Sequence, residues 1–546
     1  PTADFTFDPR YWSKQGVLYQ GEWRQKLAFG GITGQYNVKL AGIDQDASKL
    51  PTEYSFDRRS DLDGWRGSIQ TKGVFSLASW WKFGWDVTIE SDDAFRRFYK
   101  LDSILQTDRI NTLWLQGLSA RNHFNMQFYQ FGGLLLDDSP ASESRVHPVI
   151  DWNYVYGQPV LGGELSFNSN AQSISRSDGT DSNRFSFDAN WRRKIVDGVG
   201  QVWTPFAYAK ADVTNFTNGY DPNTGSAIEE DTISRGIGAV GVKYSFPFVN
   251  HTAEGSHVVE PVAQVVARPA SVSQRRLPDE DAKSLVWDDT LLFDVDKFSG
   301  WDRMETGTRA NVGLQYTFQA NNGGYARFIA GQSYHLAGTN PYEDPGRAPY
   351  SYVAFDPNTD SYFRNTILID SFSRNSGLET SSSDYVLGAY LAPSQLFRMV
   401  AQSRFDESSL ALKRQTVYGT TTLGPLSLSG QYTFLRNDPQ LAVYQTQQEL
   451  LANATLKLTD RWSLGGAIRY DIDADNMLQH YIQLRYGDEC FVLTATYAEN
   501  NITNPDLYIK PDRTVMLRFE LKHLGQFGYA TDALDHIFGE NQPPQK

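Results

Sequence analysis

Long apolar runs and an excess of positive charge are missing from this chain of 546 residues, and it has only one cysteine. Its single Cys490 excludes an internal disulfide framework and a cysteine-based metal site. No run approaches the roughly 18 consecutive apolar residues that a membrane-spanning helix needs, which excludes a helical inner-membrane protein. The net charge is −14, from 50 Lys and Arg against 64 Asp and Glu. This balance argues against a nucleic-acid partner, because phosphate binding requires clustered Lys and Arg.

Sequence signatures of catalysis are missing as well. The chain contains no G-x-S-x-G, H-E-x-x-H or Walker motif. The glycines of residues 236–241 match the dinucleotide pattern, but the run continues in strand period through Val242, Tyr244 and Phe246, with no helix to hold a pyrophosphate. The eight histidines are scattered along the chain. We therefore predict that the protein is not an enzyme and has no cofactor, metal or catalytic residue.

What the chain does have is an unusual combination of polarity and aromatic residues. Phe, Trp and Tyr make up 14% of it, while the hydrophobic fraction is 40%, below the usual 45–50% or so of globular domains. A bacterial transmembrane β-barrel has this composition, because half of each strand faces water and aromatic girdles mark both membrane interfaces.

Short alternating runs of about ten residues fill the chain from end to end. In residues 461–470, Trp462 and Ile468 fall in one phase, whereas Ser463 and Arg469 fall in the other. Lys or Arg on a lipid-facing position costs roughly 2–4 kcal/mol at the bilayer midplane, and the strand charges keep to the polar phase. The pattern predicts an all-β fold: a large closed antiparallel transmembrane β-barrel of about 26 strands over residues 1–525, with a C-terminal periplasmic tail at 526–546.

Short turns alternate with long polar connections, as expected for periplasmic turns and extracellular loops. The long connections include residues 214–232, 269–305 and 337–381, and we cannot assign a role to 337–381. The acidic residues of the second connection are either ligands for divalent cations or, as we favour, part of a solvated loop. These residues are Asp279, Glu280, Asp281, Asp288 and Asp289.

Four stretches of the sequence resemble the barrels of the LptD family, in its alphaproteobacterial type. Residues 286–311 resemble the family's longest signature, and residues 257–264 resemble the H-x-x-E-P-x-A-Q strand before it. Residues 7–24 resemble the first barrel hairpin, and residues 517–525 resemble the closing strand. The signature residues that we single out are Glu260, Pro261, Asp288, Asp289, Phe298, Gly300, Asp302 and Arg303.

The resemblance implies a translocon that inserts lipopolysaccharide (LPS) into the outer leaflet of the outer membrane. Sugar would pass through the lumen, and lipid A would leave by a lateral gate between the first and last strands. A proline in the first strand removes a ladder N–H and weakens this seam; the alternative, which we favour less, is that proline simply begins an edge strand. The gate residues that we propose are Pro1, Pro9, Tyr11, Val515, Leu517 and Phe519.

The resemblance also implies partners. The family's amino-terminal periplasmic jellyroll connects to LptA and the periplasmic Lpt bridge, and we expect the present chain to be the barrel alone. The chain begins at Pro1 without Met, so we expect a mature or trimmed fragment. The family fills its wide lumen with the lipoprotein LptE. Cys490 would pair with a cysteine of the missing jellyroll, or it is a free thiol near the periplasmic rim.

Two other classes of function stay open. A nutrient transporter of the TonB-dependent type requires a soluble plug before the first strand, whereas alternation here begins almost at once. A large porin is disfavoured by the size of the chain and by the signature in residues 286–311.

Overall fold

A computed structural model describes most of the chain. The described residues are 2–12, 14–49, 62–99, 101, 108–134, 143–221, 226–283, 285–344, 347–356, 361–370, 375–436, 446–502, 511–521 and 525–529.

Almost all of the described secondary structure is β-strand, which confirms the predicted all-β class. The first fifteen strands are β1 Ala3–Phe7, β2 Arg10–Trp12, β3 Gly16–Phe29, β4 Ile32–Gln45, β5 Gly64–Ala78, β6 Trp81–Glu90, β7 Arg109–Leu118, β8 His123–Gly132, β9 Arg145–Val155, β10 Glu164–Ser175, β11 Asp181–Arg192, β12 Ile195–Val196, β13 Val202–Tyr220, β14 Ala227–Ser245 and β15 Phe248–His251. The remaining strands are β16 Gly255–Ala267, β17 Thr308–Ala320, β18 Tyr325–Ala337, β19 Arg347–Asp356, β20 Ser361–Asp370, β21 Tyr385–Ser394, β22 Phe397–Phe405, β23 Leu412–Leu423, β24 Leu426–Leu435, β25 Gln447–Lys457, β26 Trp462–Asp471, β27 Asn476–Gly487, β28 Phe491–Asn500, β29 Asp512–Leu521 and β30 Gly525–Tyr529. Among the described residues, helical structure is limited to a 3-10 turn at Ala47–Lys49 and a single α-helical turn, α1, at Phe95–Phe98. Within the described ranges, no helix has the length and apolar character needed to cross a membrane.

The chain forms two compact units. Unit 1 comprises residues 1–153, 171–183 and 483–546, and unit 2 comprises residues 154–170 and 184–482. In unit 1, strands β3 to β9 pair antiparallel in chain order, β1 and β2 both pair with β3, and β29 pairs with β28 and β30. In unit 2, β13, β14, β16, β17, β18 and β21 to β26 pair antiparallel in that order.

The strands are inside-out compared with those of a water-soluble protein. In β17, Asn311 is fully buried, whereas its neighbour Val312 is 41% exposed and Leu314 is 52% exposed. The apolar phase thus faces outward and the polar phase faces protein, as a strand with one face against lipid requires.

Two of the long connections differ from the sequence prediction. Residues 214–232 do not form a loop, because β13 and β14 pair up to Tyr220 and Ala227 and leave only a short connection. Polar cross-strand pairs support this extension, such as Asn215, whose amide donates to Glu230 Oε1 at 3.0 Å. Strand residues that do not face lipid need no apolar phase. The alternation of apolar and polar residues therefore fades in residues 214–232, and the sequence prediction missed these strands. The connection 337–381 contains the β19–β20 hairpin.

The first strand is interrupted at Pro9. The pairings Phe7–Gly21 and Arg10–Leu18 keep one register across the gap between β1 and β2. The backbone N–H of Asp8 donates to Gln20 O at 2.9 Å, so the backbone at this even-numbered position hydrogen-bonds to β3. Because backbone groups alternate in direction along a strand, position 9 faces the opposite edge, and there Pro9 supplies no donor.

Candidate functional site

The segment that joins β16 to β17, residues 268–307, is buried along much of its length and carries most of the family signature. We call it the inner segment. Its apolar side chains pack on inward-facing residues of β18 and β21 and on the connection between these two strands. The cluster consists of Trp287, Leu292, Phe298, Ile329, Tyr342, Leu378 and Val386. This packing holds the inner segment on the polar face of unit 2.

Trp287 fixes the centre of the inner segment. Its side chain is fully buried, and its indole N–H donates to the carbonyl oxygen of Asp384 at 2.9 Å. The ammonium of Lys297 lies 5.6 Å from the centroid of its ring. Burial lowers the pKa of Lys297 to about 8, and the cation–π contact together with nearby Glu305 keeps a cation tolerable there.

Asp289 ties the inner segment to the strands β21 and β22. Its carboxylate accepts from Tyr390 Oη at 2.7 Å and from Gln402 Nε2 at 2.9 Å. Gly388 permits this approach, since a Cβ there would lie 2.2 Å from Asp289 Oδ2. The neighbouring Asp288 instead stabilises a turn by accepting from the backbone N–H of Thr290.

Asp302 ties the other end of the segment to β11 and β14. It accepts from the backbone N–H groups of Glu280 and Asp281 at 2.6 and 3.0 Å, and it pairs with Arg184. Arg235, itself paired with Asp212 at 2.6 Å, donates to the carbonyl oxygen of Asp302 at 2.8 Å. Burial opposes ionisation of Asp302, but Arg184 and the amide donors still hold its pKa below the usual range.

Gly300 and Asp281 close the turn beside Asp302. Asp281 Oδ1 accepts from the backbone N–H groups of Trp301 and Asp302 at 3.0 and 2.9 Å. Gly300 has a φ of +70°, and a Cβ on it would lie 2.4 Å from the Asp281 carbonyl oxygen. Burial raises the pKa of Asp281. The turn therefore requires both a glycine and a neighbouring carboxylate.

Glu305 is the centre of a fully buried charge cluster. Arg309 Nε lies 2.7 Å from Glu305 Oε1, and Arg268 Nη2 lies 3.3 Å from Glu305 Oε2. Burial raises the pKa of the Glu305 carboxyl, but Arg268, Lys297 and Arg309 outweigh it and lower the pKa to about 2. Charges this deeply buried are tolerated only when paired, so the cluster constrains the end of the inner segment.

We favoured a solvated loop for the acidic residues of the inner segment. The structure shows that this prediction was wrong. Asp279 and Asp289 are each only 5% exposed. Carboxylate oxygens of Asp279, Asp281 and Asp302 lie within 4.8 Å of one another, but Arg184 and Arg303 neutralise them. Arg303 also donates to the carbonyl oxygen of Gln274 at 2.9 Å. The carboxylates bind arginine and backbone donors within the protein.

The structure brings most of the predicted signature residues together, with two exceptions. Glu260 and Pro261 lie on β16, where Pro261 is exposed and pairs with Leu314 in the register. The residue of that motif that contacts the inner segment is Gln264, whose amide donates to the carbonyl oxygen of Phe293 at 3.0 Å. The sequence prediction also missed strand partners of the segment, and no local motif marks them: Arg184, Arg235, Tyr390 and Gln402.

The proposed gate residues lie in two hairpins of unit 1. Pro9 is exposed, and Tyr11 is exposed in β2. Val515 and Leu517 are exposed in β29, and Leu517 pairs with Tyr529 of β30. Pro1 lies outside the described residues, and for Phe519 only the backbone, paired with Leu493 and Phe527, is described.

Cys490 is an exposed free cysteine in the short turn between β27 and β28. Its backbone N–H donates to Asp488 Oδ1 at 2.8 Å, as does that of Phe491 at 2.9 Å. The turn presents the thiol to solvent.

Comparison with solved structures carries no argument about function. The siderophore receptor PirA from Pseudomonas aeruginosa matches 95% of this chain and 79% of its own length, with a TM-score of 0.36 and 9% identity. The ferric enterobactin receptor PfeA gives a TM-score of 0.35 at 9% identity, covering 95% of this chain and 80% of that one.

Comparison of sequences is more informative. The LPS-assembly protein LptD of Haemophilus influenzae (strain 86-028NP) is 20% identical over 96% of this chain and 65% of its own length. LptD of Acinetobacter baumannii is 24% identical over 96% of this chain and 60% of its own. The chain thus spans less than two thirds of the length of these relatives. The model of the family LptD, LPS transport system D, matches residues 64–462, which is more than half of the chain. The chain belongs to the LptD family.

Proposed function

We propose that this protein inserts lipopolysaccharide into the outer leaflet of the outer membrane, with no covalent bond made or broken. The family match over residues 64–462 is the observation that carries this proposal. The alternating strands supply the two surfaces that lipopolysaccharide transport requires, a polar face for sugar and phosphate and an apolar face for acyl chains. Each methylene that moves from water into lipid contributes about 0.8 kcal/mol, so partition drives the lipid outward.

The chain is an integral protein of the outer membrane, in keeping with its family and its strands. On the polar face of unit 2, the inner segment occupies the end reached by the long connections, which are extracellular in outer-membrane proteins. We propose that the segment closes this end against free diffusion and that sugar passes beside it.

Lipid A leaves, in this proposal, between the first strand and residues 512–516 of β29, because β30 already pairs with β29 from Leu517 onward. Pro9 supports it, because the missing N–H belongs to the edge of the first strand that faces away from β3. A seam that lacks donors opens at lower cost, since each net hydrogen bond contributes about 0.5–1.5 kcal/mol and lipid offers no replacement.

A disulfide across the seam tests the gate. One cysteine replaces Tyr11 and another replaces Val515, in a Cys490→Ser background. We expect surface delivery of newly made LPS, measured in cells that depend on the variant, to fall when the pair is oxidised and to recover on reduction. Each single cysteine serves as a control. Full delivery with complete crosslinking excludes this exit.

The proposed partners follow from the same family. An LptE lipoprotein would fill the space on the polar face, and an amino-terminal jellyroll would receive LPS from LptA, with Cys490 bonded to a cysteine of that jellyroll. Cys490 is exposed, as such a bond requires. Co-expression with a tagged LptE and membrane extraction tests the first partner. Failure to recover any complex would favour the alternatives, a TonB-dependent-type transporter or a large porin.

A further inference from the structure

A row of aromatic side chains crosses four adjacent strands of unit 1 at their short-turn ends. Trp81 of β6 pairs with Gly117 of β7, Gly117 pairs with Phe124 of β8, and Phe124 pairs with Trp152 of β9. Direct register partners lie on one face of a sheet. This face is the apolar one, because it also carries Phe83 of β6, whereas the alternate positions of that strand are polar.

The row contains a cavity of about 190 Å³, far more than the roughly 10–15 Å³ that one water molecule requires. Trp80, Trp81, Phe124 and Trp152 line it with rings, and the turn residues Ser119 and Asn122 line it with polar groups. Gly117 makes room for it. A Cβ at that position would lie 2.9 Å from the Trp81 ring.

The electrostatics of the cavity favour a cation. Its described lining includes no Asp, Glu, Lys or Arg, and His123 is the one ionisable residue in it. The faces of aromatic rings carry negative potential and attract ammonium groups, most strongly for Trp. Trp81 and Phe124 lie with ring centroids 5.6 Å apart at 58°, so their faces are tilted rather than stacked.

We propose that this aromatic cavity binds the head group of an ethanolamine phospholipid. The ammonium lies among the four lining rings, and the phosphate lies at the polar turn 119–122. The cavity lies beside the short turns, which are periplasmic in outer-membrane barrels. Its ligand therefore comes from the inner leaflet. The site does not depend on the proposed function.

Lipid retention by the purified full chain tests this site. Native mass spectrometry from detergent would compare dioleoyl phosphatidylethanolamine with dioleoyl phosphatidylglycerol, which has the same acyl chains but no ammonium. We expect the wild type to retain the ethanolamine lipid about three-fold more strongly or better. Phe124→Leu and Trp152→Leu keep apolar volume but remove a ring. Each should therefore bring the ratio of ethanolamine-lipid to glycerol-lipid retention close to one.

Trp203→Leu is the matched control. Trp203 is also an exposed tryptophan next to another ring, 4.6 Å from Tyr244, but it does not line the cavity. Its replacement should leave the preference unchanged. Heat-dependent mobility on gels would verify that every variant is folded. Equal retention of the two lipids by the wild type, or an equal loss of preference in Trp203→Leu, would overturn the proposal.

Discussion

The inner segment and the first strand each have a carboxylate–arginine ion pair, but the two pairs lie in opposite environments. Glu305 and Arg309 lie 2.7 Å apart with both side chains fully buried. Asp4 and Arg24 also lie 2.7 Å apart, but their side chains are 56% and 53% exposed. An exposed pair contributes about 0–1 kcal/mol, whereas loss of one partner from a buried pair costs about 3–5 kcal/mol. Burial, and not the residue pair, decides which region is held firmly.

Glu305→Gln should produce the largest effect. It leaves Arg268, Lys297 and Arg309 without their shared carboxylate, so we expect a loss of about 3–5 kcal/mol in the free energy of unfolding. Asp4→Asn in the first strand should cost at most about 1 kcal/mol. Urea unfolding in detergent micelles, followed by tryptophan fluorescence, measures both. Similar losses in the two variants would contradict the comparison.

Acid should weaken the inner segment through the same carboxylate. The pKa of Glu305 in the folded protein is about 2, below its ordinary value of 4.5. A lowered pKa stabilises the folded state above pH 4.5, and this contribution is lost as the pH falls towards 2. The shift corresponds to roughly 3 kcal/mol. The stability difference between wild type and Glu305→Gln should therefore shrink across this window, and a constant difference would refute the assignment.

Gly388→Ala should have an intermediate effect. The new Cβ would come within 2.2 Å of Asp289 Oδ2 and displace the carboxylate from Tyr390 and Gln402. Overpacking of this kind costs about 1–3 kcal/mol. Gly430→Ala is the matched control in another strand of unit 2, where the nearest atom to the new Cβ lies 3.6 Å away. Equal unfolding free energies for the two variants would show that Asp289 does not hold the inner segment.

Pro9→Ala should have a small effect on stability and a clear effect on transport. It adds one donor to the outer edge of the first strand, worth about 0.5–1.5 kcal/mol if a partner strand accepts it. We expect slower surface delivery of LPS in cells that depend on the variant. Pro425→Ala, in the turn between β23 and β24, should leave delivery unchanged. Faster delivery by Pro9→Ala would argue against a seam at this edge.

The strands were predictable because lipid imposes a simple rule on every second residue. The alternation in residues 461–470 predicted the strand observed as β26, Trp462–Asp471. The rule failed in residues 214–232, where β13 and β14 extend as a polar hairpin. Closure of the sheet into a ring and the gate between its ends stay predictions.

The candidate site was predictable only in part. The motif in residues 286–311 identified Asp289 and Asp302, but it predicted neither their burial nor their partners. Arg184 lies more than a hundred residues before Asp302, to which it is paired. No spacing rule connects positions so far apart, because the pairing depends on how the inner segment folds back onto the strands.

By itself, the sequence determined the all-β class, the two faces of the strands and the family. These follow from local alternation and from motifs that survive in the order of residues. Only the tertiary structure decided that an acidic connection is buried rather than solvated. A carboxylate becomes an internal anchor when distant strands bring arginine, tyrosine and glutamine to it, and that convergence is a property of the fold.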